Sequence, residues 1–297
     1  MITVATFADV RIASSGRVGL VPTMGYLHEG HLALVREAVA TSDTVVASIF
    51  VNPLQFGPND DLSRYPRDLA RDQKLAERAG VDVLFVPTVD EMYPEPPRTE
   101  LRVAGLTDHL EGARRPGHFE GVAIVVAKLF AGVRPDRAFF GRKDAQQVAV
   151  VRQMAADLSF PVEVVGVSTV READGLALSS RNKFLKAGDR RAATALSRGL
   201  FAAATAAEAG ERDGAVLEAI VAEEVTATAG ATLEYAALAD AATVQPLTVL
   251  TTDAFLAVAA RVGETRLIDN VAFSVGVDSI TVDRGEQLPG PSVLEES

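Results

Sequence analysis

Two histidines three residues apart, His28 and His31, stand in the run PTMGYLHEGH (22–31). An apolar stretch, VGLVPT (18–23), precedes them, and a helical pattern, HLALVREAVATS (31–42), follows. Glycines at 25 and 30 permit close backbone approach, and the start of a helix offers unpaired N–H groups and the positive end of its dipole. Imidazoles delivered there suit a phosphate group. The competing reading is two ordinary loop histidines at a surface. Zinc fits less well, because HEGH spaces its histidines three apart where the HExxH metal helix needs four, and no third soft ligand is in view.

Three more segments place polar groups after apolar runs. In VNPLQF (51–56), Pro53 ends a strand, leaving Asn52 and Gln55 at its carboxyl end with amides free to bind a hydroxyl or a carboxylate. In FFGRKDAQQ (139–147), Lys143 is a mobile point charge suited to phosphate oxygens, Asp144 is placed as an N-cap, and Gln146 and Gln147 open a helix. In DGLALSSRN (174–182), two hydroxyls and Arg181 form a plausible anion clamp, since an arginine forks onto two oxygens. Taken singly, these segments also read as a capped turn, a capped helix and a hydroxyl-stabilised turn. RRPGHFEGV (114–122) adds Arg114, Arg115 and His118, and RYPRD (64–68) adds Tyr65 and Arg67. Asp72, one helical turn further on, is a candidate to hold Mg²⁺ beside a triphosphate, directly or through water. His109 falls in no segment with a functional reading.

The elements that must position these residues follow from hydrophobic period. VGLVPT, TVVASIFVN (44–52), VDVLFVPT (81–88), RAFFG (137–141) and PVEVVGVSTV (161–170) read as strands, with helices at 31–42, 68–80 and 144–157. GVAIVVAKLFAGV (121–133) is helix or strand. Continuous apolar strands with helical crossovers predict an α/β fold, a doubly wound, Rossmann-like parallel sheet, with ligands bound at the carboxyl ends of its strands. After residue 170 the texture becomes Ala-rich and helical over 187–229, then strand-like at TLEYAALAD (232–240) and in a hairpin, FLAVAARVGETRLIDN (255–270), turning at VGET. The expected organisation is a ligand-binding domain over 1–170, a smaller C-terminal α+β lid domain over 171–284, and a disordered tail over 285–297.

Composition narrows the function classes. With 297 residues, 48% hydrophobic, the chain is long enough for one large or two smaller domains. Lys plus Arg is 29 against 40 Asp plus Glu, a net charge of −11, so general binding to nucleic acid or anionic membrane is disfavoured. Residues 1–170 carry 18 basic and 21 acidic residues, and 171–297 carry 11 and 19, which leaves the cations for a small anionic ligand mainly in the first part. Absence of cysteine excludes disulfides, thiolate catalysis and Cys-based zinc sites. No secretory signal or membrane-spanning stretch is seen, so a cytoplasmic protein is expected.

His28-Glu29-Gly30-His31 after a strand resembles the HxGH signature of the nucleotidyltransferases and class I aminoacyl-tRNA synthetases. More narrowly, PTMGYLHEGH, SIFVNPLQF, RYPR, RPGHFEGV, FFGRKDAQQ, VREADGLALSSRN and RLIDN, in that order, resemble the pantothenate synthetase family over roughly residues 17–275. The resemblance implies an ATP-dependent ligase that condenses D-pantoate with β-alanine through a pantoyl-adenylate, releasing AMP and pyrophosphate, with Mg²⁺ accompanying ATP as co-substrate and a homodimeric assembly. By position, the family's ATP site falls on Met24, Gly25, Tyr26, Leu27, His28, Glu29, Gly30 and His31, on Gly141, Arg142, Lys143 and Asp144, on Val170, and on Leu178, Ser179, Ser180 and Arg181. Gln55 and Gln147 match its pantoate-binding glutamines. His31 matches the family's proton donor, and His28, Lys143 and Arg181 complete the catalytic set. Arg142 stands where the family usually has Glu, and Ala145 where it usually has an aromatic residue. Two other readings compete: a transferase whose product keeps the nucleotidyl group, and a nucleotide sensor without turnover. A synthetase acting on tRNA is disfavoured by the acidic second part.

Overall fold

The computed structural model describes residues 1–57, 62–277, 279–290 and 292–294. In its first part, strands and helices alternate: β1 (Ile2–Val4), α1 (Phe7–Ala13), β2 (Val18–Thr23), α2 (Glu29–Thr41), β3 (Thr44–Ile49), α3 (Leu69–Ala79), β4 (Val83–Phe85), α4 (Val89–Met92), α5 (Leu110–Arg114), α6 (His118–Val133), β5 (Arg137–Gly141), α7 (Ala145–Asp157) and β6 (Glu163–Val167). The six strands are parallel in the order β1-β4-β3-β2-β5-β6. This is the Rossmann-like sheet that the apolar runs predict.

Strand order reverses between β2 and β5, which pair directly through Gly19 with Arg137 and Leu20 with Ala138. β2 and β5 therefore end side by side at the carboxyl edge of the sheet, where such folds bind ligands. Val21, Leu34, Val45, Leu84 and Phe139 share one buried core beneath that edge. Each large apolar side chain buried there contributes about 1.5–3 kcal/mol.

The ambiguous run at 121–133 is helical. Gly121 gives part of the reason, because a Cβ there would stand 2.1 Å from the Leu54 carbonyl oxygen, closer than any side chain permits. The helix thereby packs its backbone on the short 3-10 turn Pro53–Gln55. The stretch 161–170, read as one strand, is two: β6 ends at Val167, and β7 (Val170–Arg171) belongs elsewhere.

Contacts divide the chain into two units, residues 1–141 with 150–167, and residues 142–149 with 168–297. The second unit thus takes the turn 142–149, which a single boundary at 170 does not anticipate. It contains α8 (Ala187–Ala193), α9 (Ala195–Glu208), α10 (Gly214–Ala227), and β8 (Ala231–Asp240), β9 (Ala254–Val262), β10 (Thr265–Val275) and β11 (Ile280–Asp283), antiparallel in the order β11-β10-β9-β8. The β9–β10 hairpin pairs Val262 with Thr265 across Gly263 and Glu264, as the VGET turn predicts. Leu196, Leu200, Leu217, Val221, Leu256 and Val258 lie in its core.

The tail reading needs correction. β12 (Glu286–Gln287) pairs in parallel with β7, Glu286 opposite Val170 and Gln287 opposite Arg171, and Ser292 is buried. Polar, Gly-rich composition concealed a segment held by backbone hydrogen bonds: Glu286 N–H donates to the Thr169 carbonyl and Leu288 N–H to that of Arg171. Residues 291 and 295–297 of the tail lie outside the described residues. Among the described residues, no helix is long and apolar enough to cross a membrane.

Candidate active site

In the first unit, the chain leaves β2 through Met24, half-buried, and Gly25, whose φ of 84° is in the left-handed region that favours glycine. Tyr26 follows at φ 53°, an unusual value for a residue with a side chain, and Asp72 holds the loop there. Both Asp72 carboxylate oxygens accept backbone N–H bonds of 2.7 Å, Oδ2 from Tyr26 and Oδ1 from Leu27. Arg71, beside it, donates to the Leu27 carbonyl at 2.8 Å and lies over the Tyr26 ring. Asp72 is 1% exposed. Burial pushes its carboxyl above the ordinary value, and the two N–H bonds pull in the opposite direction.

This geometry gives Asp72 a structural role that the sequence did not show. Each of its oxygens is engaged by a loop N–H, which makes Asp72 the anchor of the histidine loop. Among the described residues, no group of three or more His, Asp or Glu side chains could hold a metal ion.

His28 caps α2, and its Nδ1 accepts from Gly30 N–H at 3.2 Å; His31 Nδ1 in turn accepts from His28 N–H at 3.3 Å. With a backbone N–H directed at each Nδ1, Nε2 is the ring nitrogen left to donate. The rings lie 4.1 Å apart between centroids. Their chemistry is that of two N–H donors set at a helix N-terminus. Leu27 and His28 are buried, and Glu29, Gly30 and His31 half-buried.

Gln55 closes the 3-10 turn after β3 and is 9% exposed. Its carbonyl oxygen receives His118 Nδ1 at 2.9 Å and Arg115 at 3.4 Å, while Arg115 also meets His118 Nε2 at 3.2 Å. Two residues known from sequence only as cations therefore brace the turn that carries Gln55. Asn52 differs from its expectation. Its amide is not free, because Leu54 N–H and the Tyr93 hydroxyl donate to its oxygen and its nitrogen donates to Gly121 and Gln55.

In the second unit, Arg142, Lys143 and Asp144 form a 3-10 turn directly before α7. Lys143 Nζ stands 3.8 Å from the Asp144 carboxylate, and the lysine side chain is about one-fifth exposed. Gln146 is buried and Gln147 half-buried at the start of α7. Asn270, on β10, clamps the turn: its Nδ2 donates to the carbonyls of Arg142 at 2.9 Å and Lys143 at 2.7 Å. A buried ion pair holds Asn270 in place. Arg171 forks onto Asp269 at 2.6 and 2.9 Å, donates to the Asn270 carbonyl at 3.0 Å, and reaches the carbonyls of Gly175 and Arg284. Both partners are 2% exposed, so removing either strands a buried charge at a cost of about 3–5 kcal/mol.

Arg142 pairs with Asp283 of β11 at 3.2 Å, and the same carboxylate oxygen accepts from the Ser168 hydroxyl at 2.7 Å. Val170 is buried in β7, and Leu178 N–H donates back to its carbonyl. Ser179 Oγ accepts from Arg181 N–H at 3.3 Å and caps a 3-10 turn, Ser180–Phe184, that presents Arg181 half-buried. Ser180 is buried. The hydroxyl-stabilised turn is thus real, and it carries the arginine. Sequence reasoning missed the clamps. Asn270 was visible in RLIDN, but nothing in that run names the backbone it would grip; Tyr93, in EMYPEPP, carried no signal.

A family model described as Pantoate-beta-alanine ligase matches residues 3–272. The pantothenate synthetase of Moorella thermoacetica is 55% identical over 258 residues, covering 87% of this chain and 91% of that protein. A crystal structure of pantothenate synthetase from Thermus thermophilus superposes with a TM-score of 0.87 at 53% identity, over 91% of this chain and 98% of that one. Pantoate-beta-alanine ligase from Francisella tularensis, crystallised with β,γ-ATP and β-alanine, gives a TM-score of 0.73 at 33% identity, over 91% and 97% of the two chains.

Proposed function

The chain belongs to the pantoate–beta-alanine ligase family, and from that premise we propose how its own residues carry the reaction. It is a pantothenate synthetase-type ligase, joining pantoate to β-alanine. In the first step proposed here, a pantoate carboxylate oxygen attacks the α-phosphorus of ATP, and the bond to pyrophosphate breaks. In the second, the neutral amine of β-alanine attacks the acyl carbon, AMP leaves, and the amine loses its proton as the amide forms. The Francisella ligase, held with β,γ-ATP and β-alanine, supports the pairing of these substrates.

Charge develops on the phosphate oxygens as pyrophosphate departs. His28 and His31 offer Nε2–H donors fixed by their own helix cap, and Lys143 and Arg181 offer cations on short, braced turns. Donors already in place need no reorganisation when charge appears, and this is the largest rate term available to such a site. Gln55 and Gln147 are assigned to pantoate, orienting its carboxylate for attack. His31 is assigned the proton-donor role. Mg²⁺, implied by the family resemblance as the counter-ion of ATP, would offset part of the charge on the triphosphate and the departing pyrophosphate. The family resemblance also proposes a homodimer working in the cytoplasm, which light scattering on the purified protein checks for assembly.

The observation that carries this reading is the histidine pair that caps α2 just beyond the carboxyl end of β2, where the strand order of the sheet reverses. In a quenched reaction with ATP, Mg²⁺ and D-pantoate, wild type forms pyrophosphate once and releases AMP continuously only when β-alanine is added. Lys143→Ala slows single-turnover pyrophosphate formation by about 10²-fold, in line with loss of one transition-state donor. A normal single turnover in that variant removes Lys143 from the mechanism.

A further inference from the structure

Gln55 hangs from a buried chain of phenol and amide groups that leads back to the end of α4. Tyr93 is 8% exposed, and its hydroxyl lies 2.9 Å from Asn52 Oδ1. Asn52, 1% exposed, has both ends of its amide identified by backbone groups whose polarity cannot change. Leu54 N–H donates to Oδ1 at 3.3 Å, and Nδ2 donates to the Gly121 carbonyl at 3.0 Å. The second Nδ2 hydrogen goes to Gln55 Oε1 at 2.9 Å. Because Oδ1 only accepts, the Tyr93 hydroxyl must donate to it. Burial pushes the phenol above its ordinary range, so it remains a donor at any working pH.

Gln55 inherits this polarity. With its oxygen opposite a donor, the end left to offer is Nε2, which has no protein partner among the described residues although the side chain is nine-tenths buried. We infer that Tyr93 and Asn52 are positioning residues that lock the Gln55 amide with its NH₂ presented, so that Gln55 reads an accepting oxygen of pantoate. The inference rests on the assignment of Gln55 to pantoate and adds what makes that contact selective. A glutamine able to turn over would present oxygen as readily as nitrogen, and an oxygen facing the carboxylate of pantoate repels it.

Asn52→Asp tests the relay with almost no change of shape. Its carboxylate demands donors, so Gln55 turns its NH₂ inward and presents Oε1 to the substrate. The expected result is a rise of about tenfold in KM for pantoate, with KM for ATP within twofold of wild type. Tyr93→Phe removes only the distal donor and raises the same KM about threefold, also without moving that for ATP. The carboxamide analogue of pantoate, used as a competitive probe, gains affinity relative to pantoate in Asn52→Asp, which general damage to the fold would not produce. Unchanged pantoate KM in Tyr93→Phe and Asn52→Asp, or equal losses for pantoate and ATP, overturns the relay. Gln55→Ala separates the two layers: a raised pantoate KM there, with no effect of the other variants, removes the relay alone, whereas no effect in Gln55→Ala removes the assignment of Gln55 as well.

Discussion

The loop at 24–31 in the first unit and the turn at 142–144 in the second each present chemistry on irregular backbone, and each is held by one buried side chain. The clamps have opposite polarity. Asp72 accepts from the N–H groups of Tyr26 and Leu27, whereas Asn270 donates to the carbonyls of Arg142 and Lys143. The difference follows from which backbone groups each segment turns inward. A loop feeding a helix N-terminus has N–H groups to satisfy, and a carboxylate provides two acceptors for them. The Lys143 turn directs carbonyls at its neighbour, which only a donor can satisfy, and an amide NH₂ does so without bringing a second charge beside the lysine. Supports differ too. The carboxylate is braced locally by Arg71, while Asn270 depends on the buried Arg171–Asp269 pair.

If polarity is what matters, near-isosteric swaps should be damaging in both regions, and most damaging where the clamp is charged. Asp72→Asn places an NH₂ against a backbone N–H and leaves one buried donor unmet, at a cost of about 1–3 kcal/mol. Displacing the histidine loop by about 1 Å is enough to slow adenylate formation by about 10²-fold, read as single-turnover pyrophosphate release. Wild-type rates in Asp72→Asn would mean that the loop holds its shape unaided.

Asn270→Asp sets a carboxylate against two carbonyls and is expected to lower the same rate about tenfold, with pantoate KM unchanged. Loss of pantoate binding in parallel would show that Asn270 supports more than the Lys143 turn.

The clamps also separate by pH, since only one of them titrates. The folded-state pKa of Asp72 lies above the ordinary 3.8, so the folded state holds this proton more tightly than the unfolded one. Its contribution to stability is therefore complete below 3.8 and is lost as pH rises through the raised value. Denaturant titrations across this window should show wild type losing stability relative to Asp72→Asn as pH rises, with no such trend between wild type and Asn270→Ala. A reversed slope would mean that the two N–H bonds outweigh burial.

The smallest effect belongs to the Arg142 side chain, which takes no part in the clamp although its carbonyl does. Its pair with Asp283 is partly exposed, and such pairs contribute about 0–1 kcal/mol. Arg142→Glu faces Asp283 with a like charge and should raise KM for ATP about threefold, which Arg142→Glu combined with Asp283→Arg reverses. Additive losses in the double variant would show that the two side chains act separately.

Much of the fold was legible because its strands are buried on both faces and their apolar runs are bounded by Gly, Pro or polar residues. The histidine loop, Gln55, Lys143 and the SSR turn were legible for a related reason: each follows such a run. The clamps escaped because their partners are backbone atoms distant in sequence, and no side-chain pattern marks a carbonyl that needs a donor. Asp72 shows the cost of that blindness. An acid near the expected phosphates reads only as a metal ligand, and its part in holding the loop shows once the two N–H groups in front of it are known. The tail was misread because composition reports side chains, and β12 is held through its main chain.

The two clamps also differ in when they become available during synthesis. Asp72 lies 46 residues after Tyr26, but Asn270 lies 127 residues after Lys143. At about 5–20 residues per second, a ribosome delivers Asn270 on the order of 10–40 s later than Asp72. For that interval a nascent chain has the means to brace its histidine loop but not its lysine turn, so the cation that charge transfer to phosphate calls for is among the last parts of the enzyme to be set.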